Sequence, residues 1–282
     1  MPDFVTGIDD IGTMNAKCSG WTVVSIDYVL LGKFEKEAEQ ILQSAKLKSF
    51  HGKEFKRKKV DSYIEFLKLV RSTLESGDGF VSCTLLGKGW KSDFEDFCDN
   101  VIGGSFAQAG VAAGGITEAS KRIAAPLFTY QRLASVKLRG GSTQIQIDRH
   151  AVIDQLKSSK VDVNGTDASG QLPIVSALRA YGRDRFPNAP EIERESILIC
   201  PDEDSFLVQA ADIIGNFSTA FAFKKLGKTS KSNDLKCSAF DQAFGDIIDL
   251  SDFPGSVKLN GDDLELEEGT ASFTFSIGGA DA

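Results

Sequence analysis

The sequence predicts an α/β protein. A mixed sheet is expected to open with three antiparallel strands and continue with further strands, with helices on its faces and a C-terminal β-hairpin. Two observations favour this fold. Short apolar segments bounded by turn residues open the chain, and strand-like segments then alternate with segments of helical spacing. Such an order places helices against the faces of a sheet. We expect one domain over residues 1–250 and the hairpin as an appendage over residues 251–282.

The opening of the chain is expected to form an antiparallel meander. Phe4–Ile11 and Trp21–Leu31 are apolar segments separated by turn-forming residues, so we predict that they pair as a hairpin. Phe80–Leu86 stands between two glycines and is the predicted third strand. Apolar residues at helical spacing predict two helices before that strand, at Lys33–Ala45 and Val60–Thr73.

The rest of the chain alternates predicted helices and strands. Phe94–Leu138 is expected to be helical but interrupted by glycines, each of which weakens a helix by about 1 kcal/mol relative to Ala. The later predicted elements are strand Thr143–Asp148, helix Ala151–Ser158, a turn-rich loop or small hairpin at Val161–Gly170, helix Gln171–Tyr181, strand Ser196–Cys200 and helix Ser205–Leu226. The alternating segments Ser256–Leu266 and Thr270–Ile277 are the predicted strands of the C-terminal hairpin.

Composition indicates a soluble cytoplasmic protein. The chain has 282 residues, 41% of them hydrophobic, which suffices for one large core. Its longest uncharged run, Asn100–Thr117, falls short of the roughly 20 apolar residues of a membrane span, and the start does not resemble a secretory signal. The five cysteines form no CxxC pair, which argues against a disulfide framework or a structural zinc site.

Basic residues are concentrated locally although the formal net charge is -8. Between Lys46 and Lys59 there are seven basic residues and a single acid, Glu54. Lys and Arg supply the sequence-independent part of nucleic-acid affinity through phosphate contacts. The pattern therefore predicts a phosphate-binding segment, for which the candidates are Lys53, Lys56, Arg57 and Lys58. A solvated, lysine-rich helix end is the alternative reading of the same pattern.

Acidic residues in or beside apolar segments are the strongest functional signal. A buried carboxylate costs several kcal/mol unless a partner neutralises it. The usual shared partner of several carboxylates is a divalent cation, and the candidate ligands here are Asp9, Glu54, Asp148 and Asp212. The two histidines, His51 and His150, each lie within three residues of one of these acids, so either could position a water or move a proton.

With these motifs in order, the chain resembles the family catalogued as domain of unknown function 3800 (DUF3800), a ribonuclease H-like group. Members open with a strand ending in Asp-Glu-Ser-Gly, which corresponds to Asp9-Asp10-Ile11-Gly12 here. A later strand closes in Asp, which corresponds to Asp148, and a helix carries Leu-Gln-x-Ala-Asp, which corresponds to Val208–Asp212. Glu54 stands in for an acid that many members carry just before the histidine of the second motif, where this chain has Ser49.

The resemblance and the carboxylate pattern together predict a metal-dependent nuclease. Asp9 and Asp148 are expected to bridge or flank magnesium or manganese ions, while Glu54 and Asp212 complete the ligand set. The predicted partner is a nucleic acid, either DNA or RNA. Two alternatives stay open: a catalytically inactive relative that serves as a binding or regulatory subunit, and a structural component that assembles with a protein partner or with its own copies.

Overall fold

The computed structural model describes residues 1–11, 19–52, 54–86, 118–138, 140–148, 182–225, 227, 230–245, 257–260, 263–266 and 270–275. Its elements are β1 (Phe4–Ile11), β2 (Ser19–Asp27), α1 (Tyr28–Ala45), α2 (Val60–Glu75), β3 (Phe80–Leu86), α3 (Glu118–Lys137), β4 (Ser142–Asp148), β5 (Glu191–Cys200), α4 (Phe206–Lys225), α5 (Lys231–Phe244), β6 (Val257–Asn260), β7 (Asp263–Leu266) and β8 (Thr270–Phe275). Two short 3₁₀ helices, Arg57–Lys59 and Asp202–Asp204, precede α2 and α4.

Six strands form one mixed sheet in the order β5-β4-β1-β2-β3-β8. Strands β1, β2, β3 and β8 pair antiparallel in succession, whereas β4 pairs parallel with β1 and β5 pairs parallel with β4. Parallel neighbours require a crossover connection, and this chain places α3 between β3 and β4. The predicted α/β fold with a mixed sheet flanked by helices is confirmed.

Helix α4 lies along β1 on one face of the sheet and runs in the same direction. A Cβ added to Gly7 would lie 2.4 Å from the backbone carbonyl carbon of Leu207, and one on Gly215 would lie 2.8 Å from the side chain of Ile11. The helix rises about 12 Å between these contacts, and β1 rises about 13 Å. The helix and the strand therefore advance by nearly equal distances, and the middle of α4 lies above the end of β1.

The absence of a side chain at Gly7 sets this close approach. We expect Gly7→Ala to destabilise the fold by about 1–3 kcal/mol, because the new methyl group would meet helix backbone and not a flexible side chain. The matched control is Gly32→Ala in α1, where a Cβ would meet nothing within 4 Å and should stabilise the helix by about 1 kcal/mol. Urea unfolding of both variants checks the prediction, which fails if the two substitutions shift stability alike.

The main hydrophobic core lies between this face of the sheet and helices α1, α2, α4 and α5. Phe50 and Phe66 stack there with ring centroids 4.1 Å apart. Helix α3 covers the opposite face, where the indole of Trp21 donates to the hydroxyl of Thr129 at 3.1 Å. By length and composition the segment Phe206–Lys224 of α4 could cross a membrane, but 67% of its apolar window is buried inside the protein, which is typical of a core helix.

Three of the larger differences between the described structure and the sequence prediction lie before the C-terminal strands. The apolar run Tyr28–Leu31 begins α1 and does not extend β2, because the chain leaves the sheet where Asp27 accepts from the N–H of Asp78 at 2.7 Å. Strand β5 begins at Glu191, five residues earlier than predicted, through a charged segment. Helix α5 was not predicted; its apolar residues Phe240 and Phe244 are buried in the core.

The C-terminal strands pair differently from the predicted hairpin. Val257–Asn260 pairs with Asp263–Leu266 in a separate two-stranded sheet. The segment Ser256–Leu266, which was predicted as a single strand, therefore contains two paired strands. Thr270–Phe275 pairs antiparallel with β3 and forms an edge of the main sheet. The predicted hairpin between the two segments is thus not confirmed. The predicted elements within 151–181, and the segment 94–117, lie outside the described residues.

Candidate functional site

Two buried carboxylates lie side by side where β1 and β4 end. Ile8 pairs with Ile147 in the parallel register, which places the next residues, Asp9 and Asp148, on one face of adjacent strands. Both are buried, with exposures of 7% and 8%. The sheet thus brings together two of the predicted site residues that are 139 positions apart in the chain.

A third carboxylate, that of Asp10, joins this pair. One oxygen from each of Asp9, Asp10 and Asp148 lies within 4.8 Å of the others. The alternation of a strand predicts that Asp9 and Asp10 face opposite sides, so the sequence argument included only one of them in the site. The group forms at the end of the sheet, however, where β4 stops at Asp148. We call these three residues the carboxylate group.

Like charge and burial act on Asp9 together. Burial raises the pKa of Asp9 well above its usual range, and the charges of Asp212, Asp10 and Asp148 raise it further, in that order. A hydrogen bond with the backbone of Asp10 partly opposes them. A cation among these oxygens would lower the pKa of Asp9, since an opposite charge favours the ionised carboxylate.

Asp212 lies in α4 near the carboxylate group and binds the loop of residues 50–52. Its Oδ2 accepts a hydrogen bond from the backbone N–H of Gly52 at 2.7 Å and contacts Nδ1 of His51. Its Oδ1 accepts from the side-chain amide of Asn216 at 3.4 Å. Both oxygens of Asp212 are therefore bound by protein groups, and one of them is in direct contact with the imidazole ring of His51.

Two further side chains fix the same loop. The side-chain oxygen of Gln209 accepts from the backbone N–H of Phe50 at 2.8 Å. The hydroxyl of Tyr63 donates to the carbonyl of His51 at 3.0 Å and accepts from its N–H at 3.3 Å. The Gln-x-x-Asp motif of α4 thus holds this loop against the helix, because Gln209 and Asp212 lie one turn apart on the same helix face and both bind the loop.

The remaining predicted site residues have different positions. Glu54 is exposed, donates its backbone N–H to the carbonyl of His51 at 2.9 Å, and lies near enough to Tyr63 for its charge to act on that phenol. It is not among the described residues of the carboxylate group. Lys56, Arg57 and Lys58 are exposed beside α2. Lys53 and His150 lie outside the described residues.

Sequence reasoning missed one neighbour of the carboxylate group. Cys200 ends β5 opposite Asp148 in the parallel register. Burial raises the pKa of its thiol to about 11, with further contributions from the charges of Asp148, Asp204 and Asp202. The usable signal was the end of a second strand beside Asp148, followed at once by the acidic segment Asp202–Asp204.

Comparison of the chain with protein-family models, with curated proteins and with solved structures found no match. The resemblance to the DUF3800 family therefore stays a prediction from the sequence motifs.

Proposed function

We propose that this protein is a metal-dependent nuclease with a ribonuclease H-like domain, which hydrolyses phosphodiester bonds of nucleic acid. The observation that carries the proposal is the carboxylate group, in which buried Asp9 and Asp148 share one end of the sheet with Asp10. Three ionised carboxylates within 4.8 Å repel one another, and a bound divalent cation would relieve this repulsion.

The sheet topology supports the ribonuclease H-like part of the proposal. The sequence-based expectation was a three-stranded antiparallel start with further strands and helices on both faces. Strands β1 to β3 form such a meander, and β4 and β5 extend the sheet beside β1 in parallel. The acids lie at the ends of β1 and β4, the region where open α/β sheets bind their ligands.

The donor set suits magnesium or manganese. All three ligands are carboxylate oxygens, which hard divalent cations prefer. Opposite ligands of magnesium lie about 4.2 Å apart, twice the coordination distance of about 2.1 Å, so separations of up to 4.8 Å need only small side-chain adjustments. A bound cation there would supply a Lewis acid for the phosphoryl oxygens and would lower the pKa of a coordinated water.

The surrounding residues take separate roles in this proposal. Asp9, Asp10 and Asp148 hold the cation. Asp212, whose Oδ2 is bound by the loop of residues 50–52 and whose Oδ1 accepts from Asn216, orients the imidazole of His51 and adds negative charge near Asp9. His51 is the group that would position a water or move a proton during hydrolysis.

Basic residues beside α2 support a polyanionic substrate. Lys56, Arg57 and Lys58 are exposed immediately before the first turn of α2. Basic side chains are electrostatically unfavourable at a helix N-terminus, whereas a bound anion is favourable there. A substrate phosphate at this position would be stabilised both by these cations and by the backbone N–H groups of the helix.

The direct test is cleavage of defined substrates. Purified protein is incubated with end-labelled single- and double-stranded DNA and RNA, in Mg²⁺, in Mn²⁺ or in EDTA. We expect cleavage of at least one substrate in metal and none in EDTA. Metal-independent cleavage would refute the metal mechanism, and tight nucleic-acid binding without cleavage would favour the inactive binding subunit.

Removal of the basic residues should weaken binding in a salt-dependent manner. For the triple variant Lys56→Ala, Arg57→Ala, Lys58→Ala we expect a shallower slope of log K against log salt, by about 0.7 for each lost phosphate contact to a single strand and about 0.9 for each contact to a duplex. Fluorescence anisotropy with labelled oligonucleotides at several salt concentrations measures the slope.

The matched control removes three exposed lysines elsewhere on the helices, at Lys33, Lys36 and Lys68. This control changes the net charge equally. Equal slopes for the two triple variants would show that only the overall charge matters and would exclude a phosphate site beside α2.

A further inference from the structure

A chain of side-chain contacts runs from α5 to the imidazole of His51. The ammonium group of Lys236 donates to Oδ1 of Asn216 at 2.7 Å. The amide nitrogen of Asn216 donates to Oδ1 of Asp212 at 3.4 Å, and Oδ2 of Asp212 contacts Nδ1 of His51. Three helical residues and one loop residue thus form a continuous path to the ring.

Lys236 fixes the orientation of the Asn216 amide. An ammonium group only donates hydrogen bonds, whereas an amide presents one accepting oxygen and one donating nitrogen. The amide oxygen must therefore face Lys236, and its NH₂ group then faces Asp212. If Lys236 were absent, the amide could turn over and present its oxygen to the carboxylate, which would repel it.

The position of Lys236 is unusual for a lysine. Its neighbour on the same helix, Lys231, is exposed, whereas Lys236 is partly buried. Burial lowers the pKa of Lys236, while the negative charge of Asp212 opposes that change. Withdrawing an ammonium group from water is unfavourable unless it is paired, and here its hydrogen bond to Asn216 and the nearby carboxylate provide the compensation.

The loop of residues 50–52 packs against the same chain of contacts. A Cβ on Gly52 would lie 2.5 Å from Cβ of Asn216, so the loop backbone lies directly against this residue. Movement of Asn216 would disturb the backbone N–H of Gly52 and the ring of His51 together, because Oδ2 of Asp212 contacts both.

We propose that Lys236 is a positioning residue that, through Asn216 and Asp212, holds the His51 imidazole with its proton on Nδ1 and directs Nε2 away from Asp212. An ionised carboxylate only accepts hydrogen bonds, so the ring nitrogen that faces Oδ2 of Asp212 is the one that carries the proton. The importance of Lys236 for catalysis rests on the proposed nuclease function, whereas the position of the proton on the His51 ring does not.

The ring state can be read directly, since the chain has two histidines. Long-range ¹H–¹⁵N spectra of the metal-free protein are recorded near pH 8.5, about two units above the ordinary histidine pKa, and His150→Gln assigns the signals. We expect wild-type His51 to carry its proton on Nδ1. Lys236→Met should shift it to a mixture of tautomers, Lys236→Arg should restore the wild-type state, and Lys231→Met should leave it unchanged.

Asn216→Ala provides a second break in the path without altering Lys236, and it decides the outcome if Lys236→Met does not fold. The proposal is overturned if wild-type His51 is protonated on Nε2, or if the folded variants keep the wild-type spectrum. A purely structural role of Lys236 would change the melting temperature without changing the tautomer.

An activity measurement separates this inference from the proposed function. With Lys236→Met we expect Mn²⁺ affinity within about twofold of wild type, because the carboxylate group is intact, and cleavage reduced about tenfold, which corresponds to about 1.4 kcal/mol. Unchanged cleavage would contradict a catalytic role for the path. Wild-type protein that cleaves nothing would refute the nuclease and leave the tautomer result standing.

Discussion

Asp148→Asn is expected to reduce nucleic-acid cleavage by about a thousandfold or more and to weaken Mn²⁺ binding strongly. Metal ions supply several kcal/mol of transition-state stabilisation, and each 1.36 kcal/mol corresponds to a factor of ten in rate. Asn keeps the size of the side chain but removes one of the three charges within 4.8 Å. Initial cleavage rates and calorimetric Mn²⁺ titration of the same preparation provide the two measurements.

The matched control is Asp184→Asn, an exposed aspartate outside the carboxylate group. It removes the same charge and should leave both cleavage and Mn²⁺ affinity within about twofold of wild type, as surface substitutions usually do. If Asp148→Asn lost cleavage but bound Mn²⁺ normally, the residue would act on substrate and not on metal. If it lost neither, the proposed nuclease would be rejected.

The sequence was sufficient to predict the strands that build this site. Alternation and apolar runs placed Phe4–Ile11 and Phe80–Leu86 correctly, and the strand ending at Asp148 began within one residue of its observed start. These segments are buried on both faces or at the centre of the sheet, where local pattern and tertiary environment agree. The adjacent position of Asp9 and Asp148 required the pairing of β1 with β4, which no local pattern specifies.

The roles of Asp212 and Asp10 could not be derived from spacing alone. An Asp in an apolar helix indicates a buried partner, but whether that partner is a cation or a histidine depends on the loop that packs against the helix. Here the loop is held by Gln209 and Tyr63, whose contacts span many residues. Strict alternation excluded Asp10, but this residue lies past the last residue of β1 that pairs with β4, and there its carboxylate comes within 4.8 Å of those of Asp9 and Asp148.

Asp9→Asn is expected to stabilise the metal-free protein at neutral pH by about 1 kcal/mol or more, because the amide carries no charge to bury beside the other carboxylates and each unit of pKa shift corresponds to about 1.36 kcal/mol. Burial and the charges of Asp212, Asp10 and Asp148 raise the pKa of Asp9 in the folded protein. The folded state therefore binds this proton more tightly than the unfolded chain. The associated stability is fully present below the ordinary Asp pKa of about 3.9 and is lost as pH rises through the raised folded value.

Urea unfolding in EDTA at several pH values tests this directly. Wild-type protein should lose stability across that window more steeply than Asp9→Asn, while Asp184→Asn should follow wild type. Divalent cation should reverse the order at neutral pH, because a ligand at 100 times its Kd stabilises the folded state by about 2.7 kcal/mol and the variant lacks one of its carboxylates. A metal-free Asp9→Asn protein less stable than wild type at neutral pH would show that the carboxylate is already compensated within the fold, and the electrostatic reason for a cation at this site would be lost.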